Sequence, residues 1–214
     1  DDISDTVKIR ISDTRDPGAS EESGNFVIRG AITLTQPKTN DVWIVNAALP
    51  VKWTLTGSIE EVKLEFSENG GTSWTTFANP VDAAQGTAGY AWTCPDAIGS
   101  DNKVRISDAN RISTLPNTSG NFVIRGALTV VKPNGPADQW TAGQTKNIEW
   151  TRTGNIANVQ ISLSTNGGST YTVIKDSTSA EALLWGWAIP SDFALSTNLK
   201  IKVADASDAD NVYD

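Results

Sequence analysis

The chain has 214 residues, 25 of them acidic and 17 basic, for a net charge of -8, with no histidine, no methionine and a single cysteine, Cys94. One cysteine excludes a disulfide within the chain, and without histidine no zinc site of Cys and His ligands can be built. The acidic balance is the wrong sign for a phosphate-binding surface, so no nucleic-acid partner is expected. No run reaches the roughly 18 apolar residues of a membrane-spanning helix, and no basic-then-apolar leader opens the sequence. A surface rich in Thr, Ser, Asn and Asp with almost no sulfur fits an extracellular or cell-surface setting.

In chain order, Val7, Ile9 and Ile11 alternate with Lys8, Arg10 and Ser12, which predicts a strand ending at Asp13, followed by a polar loop through Glu22. Residues 23–30, Ser-Gly-Asn-Phe-Val-Ile-Arg-Gly, place Phe26 and Ile28 on one face of a strand and Val27 and Arg29 on the other. The same eight letters recur at 119–126, with Phe122 and Ile124 on the apolar face. Each copy passes through one glycine, Gly30 or Gly126, into a second apolar stretch, 31–37 or 127–133. The glycine reads as the only hinge between consecutive units, which favours an extended rod.

The body of the first unit predicts a core strand in which Leu49, Val51, Trp53 and Leu55 share a face, then a strand through Val62, Leu64 and Phe66. Asn69-Gly70-Gly71 follows as a hairpin turn, since glycine reaches positive φ without steric cost. Residues 90–95 supply a further strand closed by Pro95. The second unit repeats these in order: Trp140, Trp150, then Val159, Ile161 and Leu163, the turn Asn166-Gly167-Gly168, and 185–190. Trp43 and Trp140, Trp53 and Trp150, and Asp108 and Asp205 each stand 97 residues apart. On that spacing a third copy of the repeated strand falls due just past Asp214. The expected organisation is a terminal strand hairpin over 1–29 belonging to a preceding or neighbouring repeat, an Ig-like repeat over 30–126, and a second over 127–214 lacking its last strand. No helical period outlasts two turns, so the fold class is all-β: tandem Ig-like β-sandwiches of about seven strands each.

The order Pro, Trp, Val-Lys-Trp-Thr or Ile-Glu-Trp-Thr, Gly, a Val-x-Leu or Val-x-Ile strand, a Gly-Gly turn and Trp-x-x-Pro resembles the Ig-like domain of the fungal Ser-Thr-rich, GPI-anchored cell-wall proteins linked to β-glucan assembly. Similar modules resemble tandem repeats of large bacterial surface proteins. The resemblance implies an Ig-like fold and an extracellular setting, and it brings no catalytic residues. The long Ser/Thr-rich stalk of the fungal proteins is not part of this sequence. The two hairpins, 67–74 and 164–171, also resemble the Asp-box turn of sialidase propellers, with Asn69 and Asn166 where aspartate is usual. That likeness implies a structural turn, because two such turns cannot build a propeller of several four-stranded blades.

Eight tryptophans raise the question of stacking on sugar rings. Trp53 and Trp150 read as core, in the place where Ig-type sandwiches keep a buried indole. Trp43, Trp74, Trp140 and Trp185 are the glycan-binding candidates, weighed against packing roles. Asp13 and Asp16 in one acidic loop, and Asp205, Asp208 and Asp210 in the corresponding later one, are the calcium candidates. The middle copy of that loop, with Asp108, Asn110, Arg111 and Asn117, lacks the carboxylates, so a solvated acidic loop is the preferred reading and no cofactor is expected. Cys94 reads as a packed thiol whose counterpart is Ala188, and residues 117–119, Asn-Thr-Ser, form a formal glycosylation sequon. With no histidine and no carboxylate marked out as a base, no catalytic residue is expected.

These features point to a non-enzymatic extracellular repeat, a surface stalk, adhesin segment or fibre subunit, whose partners are copies of itself or adjacent repeats. Phe26 and Ile28 are the candidates for strand donation between chains in a head-to-tail filament, set against the plainer reading that the sequence is a window of a longer array. The alternative function is a carbohydrate-binding module that takes cell-surface glycans.

Overall fold

The computed structural model describes residues 3–214. Among them the helical pieces are two 3-10 turns, Ala83–Gly86 and Ala180–Ala182, and the regular structure is otherwise strand. By contact the chain divides into two compact units, one of the stretch up to Trp43 with 48–93 and 99–123, the other of 44–47, 94–98 and 124–214.

The N-terminal segment forms β1 (Ser4–Val7), β2 (Arg10–Ser12), β3 (Ser20–Glu22) and β4 (Phe26–Ile28), paired as β1 with β4 and β2 with β3. The single strand expected from Val7 to Asp13 is therefore two. It breaks at Ile9, whose N–H donates to Ser23 Oγ at 2.9 Å and whose carbonyl accepts from Ser23 N–H at 2.8 Å. A side-chain clamp takes the place of a ladder rung there.

The first sandwich comprises β5 (Ala31–Gln36), β6 (Val42–Ile44), β7 (Ala48–Thr56), β8 (Glu61–Ser67), β9 (Thr75–Asp82), β10 (Tyr90–Thr93), β11 (Gly99–Asp108), β12 (Asn117–Thr118) and β13 (Phe122–Arg125). One sheet runs β10-β7-β5 and the other β6-β13-β11-β8-β9, with β12 alongside β11. The antiparallel registers place Leu34 opposite Trp53 and Ile106 opposite Leu64. The rung from Val123 N–H to the Asp41 carbonyl (2.8 Å) and that from Val45 N–H to the Arg125 carbonyl (3.0 Å) advance in the same direction, so β6 lies parallel to β13. Period-two alternation then turns Val51 and Trp53, Val62 and Leu64, Val104 and Ile106, and Phe122 and Ile124 inward, where all are buried.

The second sandwich comprises β14 (Ala127–Lys132), β15 (Thr145–Thr153), β16 (Asn158–Ser164), β17 (Thr172–Ser179), β18 (Leu184–Ala188) and β19 (Lys200–Asp205). Its sheets are β14-β15-β18 and β17-β16-β19, over a core of Ile148, Trp150, Val159, Ile161 and Val203. Strand for strand, β14 to β19 repeat β5, β7, β8, β9, β10 and β11. Trp53 Nε1 donates to the Ala83 carbonyl at 3.0 Å, and Trp150 Nε1 donates to Ala180 at the same distance. An indole buried on both faces still needs a partner for its N–H, and in each sandwich a 3-10 turn supplies it.

Gly30 and Gly126 are glycines for reasons of space. A Cβ at Gly30 would come within 2.8 Å of Ile59 Cδ1, and one at Gly126 within 2.8 Å of Ile156 Cδ1 and 2.7 Å of the Thr153 carbonyl. Close approach of the backbone to a packed isoleucine, identical in both copies, gives each of these glycines a steric reason of its own.

Candidate functional site

The two hairpin turns are built alike. Ser67 Oγ accepts from Gly71 N–H at 2.9 Å and donates to Asn69 Oδ1, which in turn accepts from Ser73 N–H at 2.9 Å. Ser164, Gly168, Asn166 and Thr170 repeat these bonds at 2.9 Å each. The paired glycines hold positive φ, 70° and 96° at Gly70 and Gly71, 73° and 98° at Gly167 and Gly168. The Asn side chains are thus spent on closing their own turns.

The aromatic candidates fall in different environments. Trp43 is buried, its ring centroid 5.7 Å from that of Trp92 and 5.1 Å from that of Phe122, and offers no face to a ligand. Trp74 is half-buried with the Arg105 guanidinium 4.3 Å over its ring. Tyr171, its counterpart, carries Lys202 at 5.9 Å. Trp140 and Trp185 are half-buried and pack against the core of the second sandwich. Beside Trp140 lies an open polar recess bordered by Lys132, Asp138, Asn147 and Glu149.

A second concavity in the same sandwich is apolar, bordered by Trp140, Ala142, Trp187, Ile189, Phe193 and Leu199. Its counterpart in the first sandwich is filled. There Phe122 and Ile124, both 0% exposed, come in on β13, and Phe122 rests 5.1 Å from Trp43 and 6.5 Å from Phe66. Trp140 stands where Trp43 does and Trp187 where Trp92 does. Among the described residues no strand occupies the place of β13 in the second sandwich, nor does one stand in for β6. Leu195 is accordingly 91% exposed. Residues 196–199, which match the first part of β11, are not in a strand.

Up to that point the two copies agree closely. Leu34 N–H donates to Asn117 Oδ1 at 2.8 Å, and Val130 N–H donates to Asp214 Oδ2 at 2.7 Å. Asp214 also exchanges two backbone bonds with Val203, 2.9 and 3.0 Å, taking the role of Asn117 opposite Ile106. The sequon asparagine is therefore engaged in a rung that an aspartate can also supply.

The acidic loops hold their carboxylates apart. Asp13 caps Arg15 N–H at 2.7 Å and Asp16 caps Gly18 N–H at 3.1 Å, while Asp205 accepts from Ser207 N–H and Oγ at 2.8 and 2.6 Å. Asp208 binds Arg125 Nε at 3.0 Å, and Asp210 is exposed. No group of three or more Cys, His, Asp or Glu able to hold a metal exists among the described residues. Cys94 is buried, which pushes its thiol up to about 11. Its counterpart is the buried Ile189 rather than Ala188. Cys94 N–H donates to Ala47 and its carbonyl accepts from Asn46 (2.9 Å each), as Ile189 bonds to Gln144 and Gly143 (3.0 Å each). Glu65 is held below its ordinary range: burial pushes it up, and hydrogen bonds and charge from Arg105 (2.8 Å) and Lys63 (3.1 Å) outweigh that. Sequence periodicity gave no sign of this triad, because Glu65 occupies what reads as an outward position of β8.

The class defined by two such sheets, one of β5, β7 and β10 and the other built on β8, β11 and β13, is the Ig-like β-sandwich. No protein-family model matches the chain, and no curated protein does. Thirteen chains of solved structure match it, among them the fibronectin(III)-like modules of Clostridium thermocellum CbhA, 16% identical over 86% of this chain and 90% of that one, with a TM-score of 0.28. No helix among the described residues is long and apolar enough to cross a membrane.

Proposed function

We propose that this chain is a non-enzymatic structural repeat of an extracellular or cell-surface protein, a segment of a stalk, adhesin or fibre. The observation that carries the reading is that one sandwich is built twice with the same internal bonds. The matched indole bonds of Trp53 and Trp150 and the matched turns of Asn69 and Asn166 serve the fold alone. Asn69 and Asn166 close their turns, Asp13, Asp16 and Asp205 cap nearby backbone N–H groups, and Glu65 is paired with Arg105 and Lys63. The acidic, sulfur-poor composition and the resemblance to wall-anchored Ig-like domains support the extracellular setting.

Force-extension of the single chain tests this. Two unfolding events, each releasing roughly 30 nm for about a hundred residues of extended chain, are expected. A chain that extends without resisting force contradicts a load-bearing role.

A carbohydrate-binding reading has one observation in its favour, the polar recess beside the half-buried Trp140. Soluble β-glucan fragments that quench tryptophan fluorescence, with the response lost in Trp140→Ala, would establish it. No response across neutral and acidic glycans removes it.

A further inference from the structure

We infer that the outer face of the β16-β19 pair, around Tyr171, Lys200 and Lys202, binds an acidic polysaccharide, the tyrosine ring taking the flat face of a sugar and the two ammonium groups its anionic substituent. The inference goes beyond the structural-repeat reading and makes no use of the recess beside Trp140.

Comparison of the two sandwiches singles this face out. On β11 the inward positions are Val104 and Ile106, both 0% exposed, so Lys103 and Arg105 point outward. β19 repeats the pattern with Val203 inward and Lys200 and Lys202 outward, opposite Ser164 and Ser162 of β16. In the first sandwich the cations stand among carboxylates. Arg105 Nε donates to Glu65 at 2.8 Å, Lys63 lies 3.1 Å from the same side chain, and Glu68 and Asp101 follow in the adjoining turn and strand. At the spacing of 97 residues, Glu65, Glu68 and Asp101 become Ser162, Thr165 and Asn198, while Lys103 and Arg105 become Lys200 and Lys202. The second face keeps both cations and loses every acid of the set. Asp176, on the neighbouring strand, accepts from Gln160 Nε2 at 3.2 Å. Among the described residues neither ammonium group of Lys200 and Lys202 has an ion pair or a hydrogen bond. In a chain of net charge -8 this is a local reversal of sign.

The other groups of the face gather around the two lysines. Lys202 Nζ stands 5.9 Å from the ring centroid of Tyr171 and 4.4 Å from that of Tyr213. A Cβ at Gly168 would lie 3.3 Å from Tyr171 Oη and 3.6 Å from Lys200 Nζ, so glycine lets a phenol and an ammonium group meet over bare backbone. Gly167 N–H donates to the Asn198 carbonyl at 2.9 Å, which fixes the turn bearing Tyr171 against the chain leading into β19. Ser162 is 5% exposed, and its hydroxyl has no hydrogen-bond partner among the described residues. A hydroxyl so placed is open to a bond from an incoming ligand. In the first sandwich, where β13 lies beside β11, Lys103 and Arg105 still face outward, so a strand next to β19 leaves this face uncovered.

The chemistry fits an acidic sugar better than a bare anion. Rooted two residues apart on one strand, about 7 Å, the lysines bracket a single carboxylate or sulfate. Tyr171, 40% exposed, offers a flat apolar surface to the C–H face of the same sugar, and the hydroxyls of Ser162 and Tyr171 reach its hydroxyl groups. Inorganic phosphate would use the charge and leave the ring idle. One such contact is weak because exposed charges are screened, and a polymer gains by meeting several chains at once.

The test is nuclear magnetic resonance of the isotopically labelled full chain, titrated at low salt with galacturonate oligomers, sulfated dextran, neutral dextran and inorganic polyphosphate. Galacturonate or sulfated dextran is expected to shift the amides of 162–171 and 200–203 and to leave those of 65–74 and 103–106 in place. The tighter of the two names the anion, and neutral dextran should shift neither region. Lys200→Gln and Lys202→Gln, both at outward positions, should each weaken binding about fivefold. Tyr171→Ala should weaken it as well, Tyr171→Phe should retain most of it, and Trp140→Ala should change nothing. Absence of shifts in this region with both acidic polysaccharides overturns the inference. So does binding that survives in the double lysine variant, or that Trp140→Ala abolishes. Polyphosphate that binds as tightly, with no loss in Tyr171→Ala, shows attraction by charge alone and overturns the assignment to a sugar. The structural-repeat reading is decided separately, by the force-extension trace.

Discussion

The ring of Phe122 lies 5.1 Å from that of Trp43, tilted 47°, and no part of Phe122 reaches solvent. Truncation to alanine leaves a cavity between two sheets, which costs about 3–5 kcal/mol for a buried phenylalanine. Urea unfolding of Phe122→Ala should show the first sandwich destabilised by that amount and the second unchanged. Phe26→Ala, the same substitution in the same octapeptide, should shift stability in dilute solution by no more than about 0.5 kcal/mol. Equal effects at the two positions would mean that Phe26 is already buried.

Glu65 should give the first sandwich an acid sensitivity with no counterpart at the matching place of the second, where Ser162 stands opposite Lys202. The carboxyl of Glu65 titrates below its ordinary value of 4.5 in the folded state. A depressed carboxylate contributes stability that is fully present above the unfolded value and is lost as pH falls through the folded one. Unfolding followed from pH 7 down to pH 3 should therefore show the first sandwich weakening more steeply below about pH 4.5. In Glu65→Gln that extra slope should vanish, at a cost of about 1–3 kcal/mol at neutral pH. A slope that is unchanged in the variant would assign the acid lability to another group.

Gly86 lies so near Trp53 that a Cβ there would sit 2.6 Å from the indole Cδ1 and from the Trp53 carbonyl. Gly86→Ala must displace the central indole and its bond to Ala83, so a loss of about 2 kcal/mol or more is expected. Thermal unfolding monitored by tryptophan fluorescence would show it. An unaltered midpoint would mean that the turn can move aside freely.

Cys94 should be silent to thiol reagents while the chain is folded. A thiol held up to about 11 by burial is almost wholly protonated at pH 8. Labelling by an aromatic disulfide should begin only where urea unfolds the sandwich that contains it. Rapid labelling without denaturant would place the thiol at the surface.

Much of this architecture was legible in the sequence because both signals that carry it are local. Period-two alternation at Val62 and Leu64, and positive-φ glycines after Asn69 and Asn166, need no knowledge of the rest of the chain. The spacing of 97 residues between Trp53 and Trp150 tied the copies together. What escaped were facts of neighbourhood. Trp43 has polar and apolar neighbours in sequence, and only the parallel docking of β6 on β13 buries it. The spatial need for glycine at 126 shows only once Ile156 and the Thr153 carbonyl are seen against it. In the letters Cys94 falls against Ala188, one residue short of its structural counterpart Ile189, because the ladder between β15 and β18 leaves no mark in the sequence.

Among the described residues β19 lacks the neighbour that β11 has in β13. Hydrogen exchange by mass spectrometry on residues 99–106 and 196–203 measures that difference between the two copies directly. The first segment should exchange slowly and the second far faster. Equal protection of the two segments would contradict the strand order of the two sandwiches.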